Sequence, residues 1–475
     1  MDRAESPERS GDPEGLPDER VRSAISGRLR RVAVVSRDPV LRRFWVSQMV
    51  SEMGDWIGLL GIAALLYKNT GLAIAASGSL AALYLPYLFA PLLVGWASKI
   101  PPRRLLIGAD FLRAALILLL LVPELSAWAL LVLVFLASVP TSVYEATRAA
   151  AVPEYASDEE TREDALVLFQ STQQIAGMLG FLLGGAALAL VGFVAAIGLN
   201  ALSFVASGLL LLGVPKLAPL AAVTDTARGL LRNGVRALVG RPMLRRAVLL
   251  SAVSASTIMA GEALVVVYAT ELDHPGYAGP FAALMAFVAA VLGLVLPRRR
   301  GSAELMRLSA MTMIAGGVLA VAAFALPVSF VPGVLGYIGL GIISAPGALT
   351  YVVAVREMAP AIRAPVFALV QVVLMGGQAA VAVLAGSLAD RTSVGSSIAL
   401  WQLPTIAVSV WVLATVLVAY LAQVVARTKK AATARPTPDV PRPVVESPRS
   451  PEPSPAPRVS RAPRARERPA LPTKN

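Results

Sequence analysis

The sequence predicts an all-α polytopic membrane protein, with twelve transmembrane helices in two six-helix parallel repeats. Three observations predict it. Uncharged runs rich in Leu, Ala, Val and Ile recur along the 475 residues, of which 56% are hydrophobic and only 15% charged. Soluble domains hold about 45–50% apolar and about 25% charged residues. Lys and Arg crowd into alternate loops between the runs. Motifs of the first half return in the second at an offset of 201 to 203 residues.

The mean hydropathy, +0.67, excludes a soluble enzyme, a disordered chain and a coiled coil. The formal charge of +13 would suggest nucleic acid, but its placement argues otherwise. Residues 1–43 carry +2, residues 426–475 carry +8, and the hydrophobic middle keeps only +3. A basic excess confined to a tail is a weak nucleic-acid signal, so no nucleic-acid partner is expected. There is no Cys, and His274 is the only histidine. Thiolate chemistry, His-cluster metal sites and Ser–His–Asp catalysis are excluded. No P-loop occurs, so ATP is not the driver. No cofactor, no metal and no enzymatic activity are expected.

A spanning helix needs roughly 20 apolar residues. The spans are predicted near 44–67, 73–97, 104–122, 127–149, 165–191, 194–214, 244–270, 279–297, 304–326, 331–354, 365–388 and 398–425. The divisions at Val191–Gly192 and Pro327–Pro332 rest on breaker residues alone. With the N-terminus inside, inner loops hold Lys99, Arg103, Arg104, Arg162, Lys216, Arg228, Arg232, Arg236, Arg241, Arg298, Arg299, Arg300, Arg356 and Arg363. Outer loops hold only Lys68 and Arg391. This asymmetry places both termini in the cytoplasm, and an odd number of spans would destroy it.

Pro39-Val40-Leu41-Arg42-Arg43 enters the first span and Pro242-Met243-Leu244-Arg245-Arg246 the seventh. Arg162 and Gln170 return as Arg363 and Gln371, and Gly185 returns as Gly386. Duplication in the same orientation gives a parallel repeat about the membrane normal. The halves are read as 37–214 and 241–425. The linker 215–240 carries Arg228, Arg232 and Arg236 four apart, the pattern of a helix lying on the inner membrane surface. Residues 1–36 and the Pro/Arg-rich 426–475 cannot bury enough apolar area to order themselves and are read as disordered cytoplasmic ends.

Specific stretches then resemble the major facilitator superfamily over about residues 37–425. They are Ser51-Glu52-Met53-Gly54-Asp55-Trp56, Gly95 through Arg103-Arg104, Asp110-Phe111-Leu112-Arg113, and Arg148-Ala149-Ala150-Ala151-Val152-Pro153-Glu154. The nearest look is to the bacterial drug and siderophore exporters, the enterobactin-exporter-like branch. One departure stands out: Lys99 occupies the place where the family's loop carries an aspartate that helps latch the cytoplasmic side. The resemblance implies a latch weakened by a charge of opposite sign.

A charge at the centre of a span costs about 2.5–3.5 kcal/mol on insertion scales, so such residues face protein or a water-filled cavity. Gln48, Glu52 and Asp55 form one stripe on the first span. Paired, buried carboxyls resist joint ionisation, which a proton carrier requires. Glu262 stands alone in the seventh span. Asp55, Glu262 and Glu52 are therefore the proton-coupling candidates. Asp110 with Arg113, and Glu145 with Arg148, are spaced as intrahelical pairs. With Lys99, Arg103 and Arg104 they form the gating set. Gln48, Gln170, Gln174, Asn200, Gln371 and Gln378 are candidates to line a cavity, or to join helices by hydrogen bonds. Gly177, Gly180, Gly184 and Gly185 permit close helix approach. Trp45, Trp56, Trp96, Trp128 and Trp401 read as interface anchors near helix ends.

The expected protein is a multi-pass secondary transporter of the plasma or inner membrane, working as a monomer amid membrane lipid. The resemblance implies export of an amphipathic small molecule in exchange for protons. A lysophospholipid facilitator of the same fold is the rival within transport. A transport-dead membrane scaffold using its basic tail is the rival from another class.

Overall fold

The computed structural model describes residues 37–89, 99–155, 159–216, 227–296, 300–358 and 360–433. Its regular elements are all helical. They are α1 (Pro39–Thr70), α2 (Ala73–Tyr84, continued by a 3-10 turn Leu85–Leu88), α3 (Pro102–Leu119), α4 (Ala127–Ala151), α5 (Glu159–Leu190) and α6 (Phe193–Leu211). A short α7 (Ala227–Val239) follows, then α8 (Pro242–Glu271), α9 (Ala278–Val295), α10 (Ser302–Phe324), α11 (Phe330–Ser344), α12 (Gly347–Arg356), α13 (Pro360–Ala389) and α14 (Val394–Thr433). Among the described residues nine stretches are long and apolar enough to cross a membrane. The shorter apolar Ala73–Leu88 and Ile175–Leu190, with the more highly charged α3, complete the expected set.

Local chemistry sets the boundaries. Asp38 caps α1 by accepting from the N–H groups of Val40 at 2.7 Å and Leu41 at 3.0 Å, and Pro39 takes the first turn, where its missing N–H costs nothing. Pro242 starts α8 in the same way. The tenth predicted span is two helices: α11 stops at Ser344 and α12 starts at Gly347, because Ala345-Pro346-Gly347 interrupts the ladder. The last helix runs to Thr433, past Ala426, where the tail was expected to begin. The end of the second span, including Gly95, Trp96 and Ser98, lies outside the described residues, as do 1–36 and 434–475.

The chain divides into two compact units, Met1–Tyr420 and Leu421–Asn475. The described part of the second is the final stretch of α14. Within the first, α1 crosses α6 closely: a methyl group on Gly58 would overlap the side chain of Asn200. Between bilayer-spanning helices such small faces replace the hydrophobic drive that lipid cannot supply. An aromatic cluster of Tyr268, Phe281, Phe324 and Tyr337 joins α8, α9, α10 and α11, with Phe281 and Tyr337 stacked at 5.2 Å. Trp56 does not sit at a helix end. It lies in the middle of α1 and contacts Phe181 of α5 at 4.6 Å over Gly177 and Gly180.

Two crossings join the first six spanning helices to the last six. α5 meets α9 where Gly185 faces Gly279, and a Cβ on Gly185 would come within 2.7 Å of the Gly279 Cα. α2 meets α13 where Gly386 faces Ile74, at the same 2.7 Å. Gly185 and Gly386 are the pair read as a repeat from the sequence. Both crossings lie toward the end at which α1 stops at Thr70. At that end Asp390, following α13, accepts from the free N–H groups of Ala73 at 2.6 Å and Ile74 at 3.0 Å. It therefore caps α2, whose own N-cap, Leu72, has no side chain able to do so.

Losing a helix cap costs about 0.5–2 kcal/mol. Asp390→Ala is therefore expected to raise the open-to-closed ratio at the Thr70 end about 2- to 30-fold. The chain lacks cysteine, so a single Ser77→Cys beside Gly386 reports the opening through its rate of maleimide labelling. An unchanged rate would mean that Asp390 only finishes a helix.

Candidate functional site

Asp55, Asp110 and Arg113 come together inside the membrane-spanning body. Arg113 extends from α3 to α1, where its Nη2 donates to both carboxylate oxygens of Asp55, at 2.7 and 2.9 Å. Its own helix neighbour Asp110 is farther, at 3.5 Å. The sequence spacing assigns Arg113 to Asp110; the nearer partner is Asp55, whose two oxygens both accept from one guanidinium nitrogen, Nη2. Ser207 of α6 donates to the other Asp110 oxygen at 2.6 Å, and Ser51 lies 3.4 Å from Arg113. Phe204 lies under the guanidinium at 3.8 Å and Tyr144 of α4 flanks it at 5.7 Å. These rings hold the cation through their π-faces. Arg113 and Asp110 are sealed, at 2% and 0% side-chain exposure, whereas Asp55 is 32% exposed and is the accessible member. A small cavity between α1, α2, α3, α4 and α6 is lined by Asp55, Arg113 and Asn200.

The other candidates of the first half fall beside this group. Glu52 accepts from Gln173 of α5 at 3.0 Å. Glu145 pairs with Arg148 on α4, and Arg148 is within electrostatic range of Glu52 too. Gln48 is buried, donating to the Phe169 carbonyl of α5 at 3.3 Å, so it joins helices and lines no described cavity. Of the gating set, Lys99 and Arg104 are exposed. Arg103 donates to the Leu212 carbonyl at 2.5 Å, and Arg43 donates to that of Gly213. Both arginines thus finish the C-terminus of α6, where cations suit the orphan carbonyls. The side chains of Gln170 and Gln174 lie outside the described residues.

A larger cavity, of about 590 Å³, opens between α8, α11, α12 and α13. Glu262 stands on its wall with Gln371 and Gln378. Glu262 makes no hydrogen bond or ion pair among the described residues. Tyr84 of α2 is within electrostatic range of both Glu262 and Glu52, so the two acids share one neighbourhood. The helix break at Pro346 falls in this wall, between Ser344 and Gly347. Broken spanning helices recur at transporter binding sites, where freed backbone groups face a cavity. The Pro-Gly pair was a legible signal for it; Ser207, Phe204 and Tyr144 around Arg113 had no such signal.

The arrangement can hold charge within the bilayer, bind a small molecule and change partners among buried acids. It resembles solved transporters in shape. A structure of the nucleoside transporter NupG, as its D323A mutant, matches at a TM-score of 0.64 over 79% of this chain and 99% of its own, with 14% identity. The POT family transporter PepTSo matches at 0.61 over 80% and 99%, with 12% identity. A bacterial homologue of the human lysosomal transporter Spinster, inward-facing and occupied, matches at 0.57 over 81% and 97%, with 14% identity. At these identities the likeness is one of fold. Among curated proteins none matches the chain. The family model of the Major Facilitator Superfamily matches residues 44–361. With its spanning helices and their buried charges accounted for, the chain belongs to the major facilitator superfamily and is a multi-pass membrane transporter rather than an enzyme.

Proposed function

We propose that the protein is a proton-coupled secondary transporter that exports an amphipathic small molecule by alternating access. One observation carries this reading: Arg113 sits sealed between two carboxyls, one of which, Asp55, stays accessible. The ion pair between Arg113 Nη2 and both Asp55 oxygens ties α1 to α3 while Asp55 is ionised. A proton arriving on Asp55 removes the charge that holds Arg113, leaves the guanidinium to Asp110 and frees α1 to move. Glu262, on the first helix of the other half, is the counterpart on the cavity wall. The halves 37–214 and 241–425 rock around these groups, joined by the linker 215–240.

The Lys/Arg asymmetry supports placing the Pro39 end, both termini and the ends 1–36 and 426–475 in the cytoplasm of a plasma or inner membrane. The crossings at Gly185 and Gly386 then fall on the outer side. The direction of transport rests on the resemblance to the enterobactin-exporter-like branch. Substrate comes from screening a deletion strain for sensitivity to toxic compounds, with and without complementation.

The test is flux of that substrate in proteoliposomes. An imposed pH gradient is expected to drive accumulation against the substrate gradient, and a protonophore to abolish it. Flux that ignores the pH gradient would leave a facilitator, and with it the lipid-facilitator reading.

A further inference from the structure

We infer that the cavity beside Glu262 binds an amphipathic monocation, with the Glu262 carboxylate as its counter-ion. The inference deepens the transport reading and rests on it only for the claim that the bound molecule is the cargo.

The first observation is charge. Among the described residues lining the cavity, Glu262 is the sole carboxylic acid, and no Lys or Arg accompanies it. The phenols of Tyr84 and Tyr337 are within its electrostatic reach, and the Tyr337 hydroxyl is already donated to the Gly261 carbonyl at 3.0 Å. A carboxylate left without a cation in a low-dielectric wall attracts one strongly and repels anions as strongly.

The second observation is the hydrogen-bond inventory. Ser251 donates its hydroxyl to Thr350 at 2.7 Å, Ser254 donates to the Ser251 carbonyl, and Thr350 donates to the Gly347 carbonyl. Their protons are committed within the wall, so none of the three hydroxyls is a free donor to a bound molecule. The Gln378 side-chain oxygen is buried and has no partner. With these hydroxyls committed and an amide oxygen unpaired, the wall offers acceptors to an ammonium or guanidinium, whereas a carboxylate or phosphate would meet only neutral donors such as the Gln371 and Gln378 amides.

The third is the apolar part. Tyr351 and Phe367 stack at 5.5 Å with 22° between their rings, both on the cavity wall. Such faces attract onium groups and cover flat hydrophobic ones. Met259 and Met358 supply adaptable thioether surface. A volume of about 590 Å³ suits a drug-sized molecule. Antiport follows from the same geometry: Glu262 holds either a proton or the cargo's charge, not both.

The experiment is equilibrium binding of radiolabelled tetraphenylphosphonium to the purified full-length protein in detergent. Competitors are tetraphenylborate, an anion of nearly the same shape, the neutral triphenylphosphine oxide, and a zwitterionic lysophospholipid. The cation is expected to bind, unlabelled cation to displace it, and the anion to fail. Glu262→Gln should weaken binding about tenfold or more, since an ionic partner is lost. Tyr351→Leu should weaken it about 2- to 30-fold without touching the charge. Both variants are compared at equal elution volume and melting temperature, so that misfolding is not read as lost binding. Equal competition by the borate or the oxide, displacement by the lysophospholipid, or undiminished binding in Glu262→Gln would overturn the inference. No gradient enters the assay, so an uncoupled protein would still bind the cation, and a coupled one with another cargo would not.

Discussion

Replacing Arg113 with alanine is expected to reduce the yield and thermal stability of the folded protein more than any other single substitution in the spanning helices. Arg113 is 2% exposed and is the cation for two carboxyls on two helices. Removing one member of a buried ion pair costs about 3–5 kcal/mol, because the remaining charge is left in low dielectric. Here two are left, and the cation–π contacts with Phe204 and Tyr144 go with them. Arg113→Lys should recover only part of the loss. A single ammonium can meet Asp55 but cannot also reach Asp110 and lie flat against Phe204 as the planar guanidinium does. The measurement is the melting transition of the detergent-purified protein, followed by tryptophan fluorescence, with the monodisperse fraction after size exclusion. A native-like transition in Arg113→Ala would mean that water solvates the two acids in place of the guanidinium.

Asp55→Asn is expected to separate coupling from binding. Asparagine keeps the volume and imitates the neutral carboxyl, so α1 no longer takes its instruction from a proton. Exchange of substrate across proteoliposomes without a pH gradient should persist, while accumulation driven by a gradient should fall about tenfold or more. That corresponds to a lost bias of about 1.4 kcal/mol between the two states. Asp55 is the partly exposed member of its group, so this substitution should disturb folding far less than Arg113→Ala. Gradient-driven accumulation equal to that of the native protein would remove Asp55 from the coupling step. Glu52, Asp110, Glu145 and Glu262 would then remain as the acids within the spans.

The two substitutions probe one cluster whose members were visible in the sequence but whose pairing was not. Asp110 and Arg113 sit three apart, the reach of an intrahelical pair, so local spacing assigned them to each other. The structure brings Asp55 closer to Arg113 than Asp110 is, since α1 and α3 approach side by side and the guanidinium lies across the gap. Fifty-eight residues of chain separate Asp55 from Arg113, and no periodicity encodes such a contact. Gln48, Glu52 and Asp55 shared a stripe in the sequence, yet they point to different neighbours: the Phe169 carbonyl, Gln173 and Arg113. A helix face about 100° wide is broad enough to meet two adjacent helices. Trp56 erred for a related reason: an aromatic anchor and an aromatic packed against glycines look alike in sequence.

What the sequence determined by itself is the solvent of each segment. Long runs without charge demand lipid, and inside lipid every backbone group must be paired within its own helix. The helical class, the order of the spans and the stops at Asp38-Pro39, Gly192 and Pro327 therefore follow from local composition and breakers. The repeat was also local information, and it marks Gly185 and Gly386, the two glycines at these crossings. Tertiary structure alone decided which helix lies beside which. It put Asp390 on the N-terminus of α2 across 317 residues of sequence, and it set Arg113 between its acids. It also left Glu262 on a cavity wall with no cation among the described lining residues. The physical reason is that lipid enforces secondary structure residue by residue, whereas partner choice among buried polar groups depends on helix packing. Packing is settled by shape, with glycines admitting close crossings and side chains filling the rest.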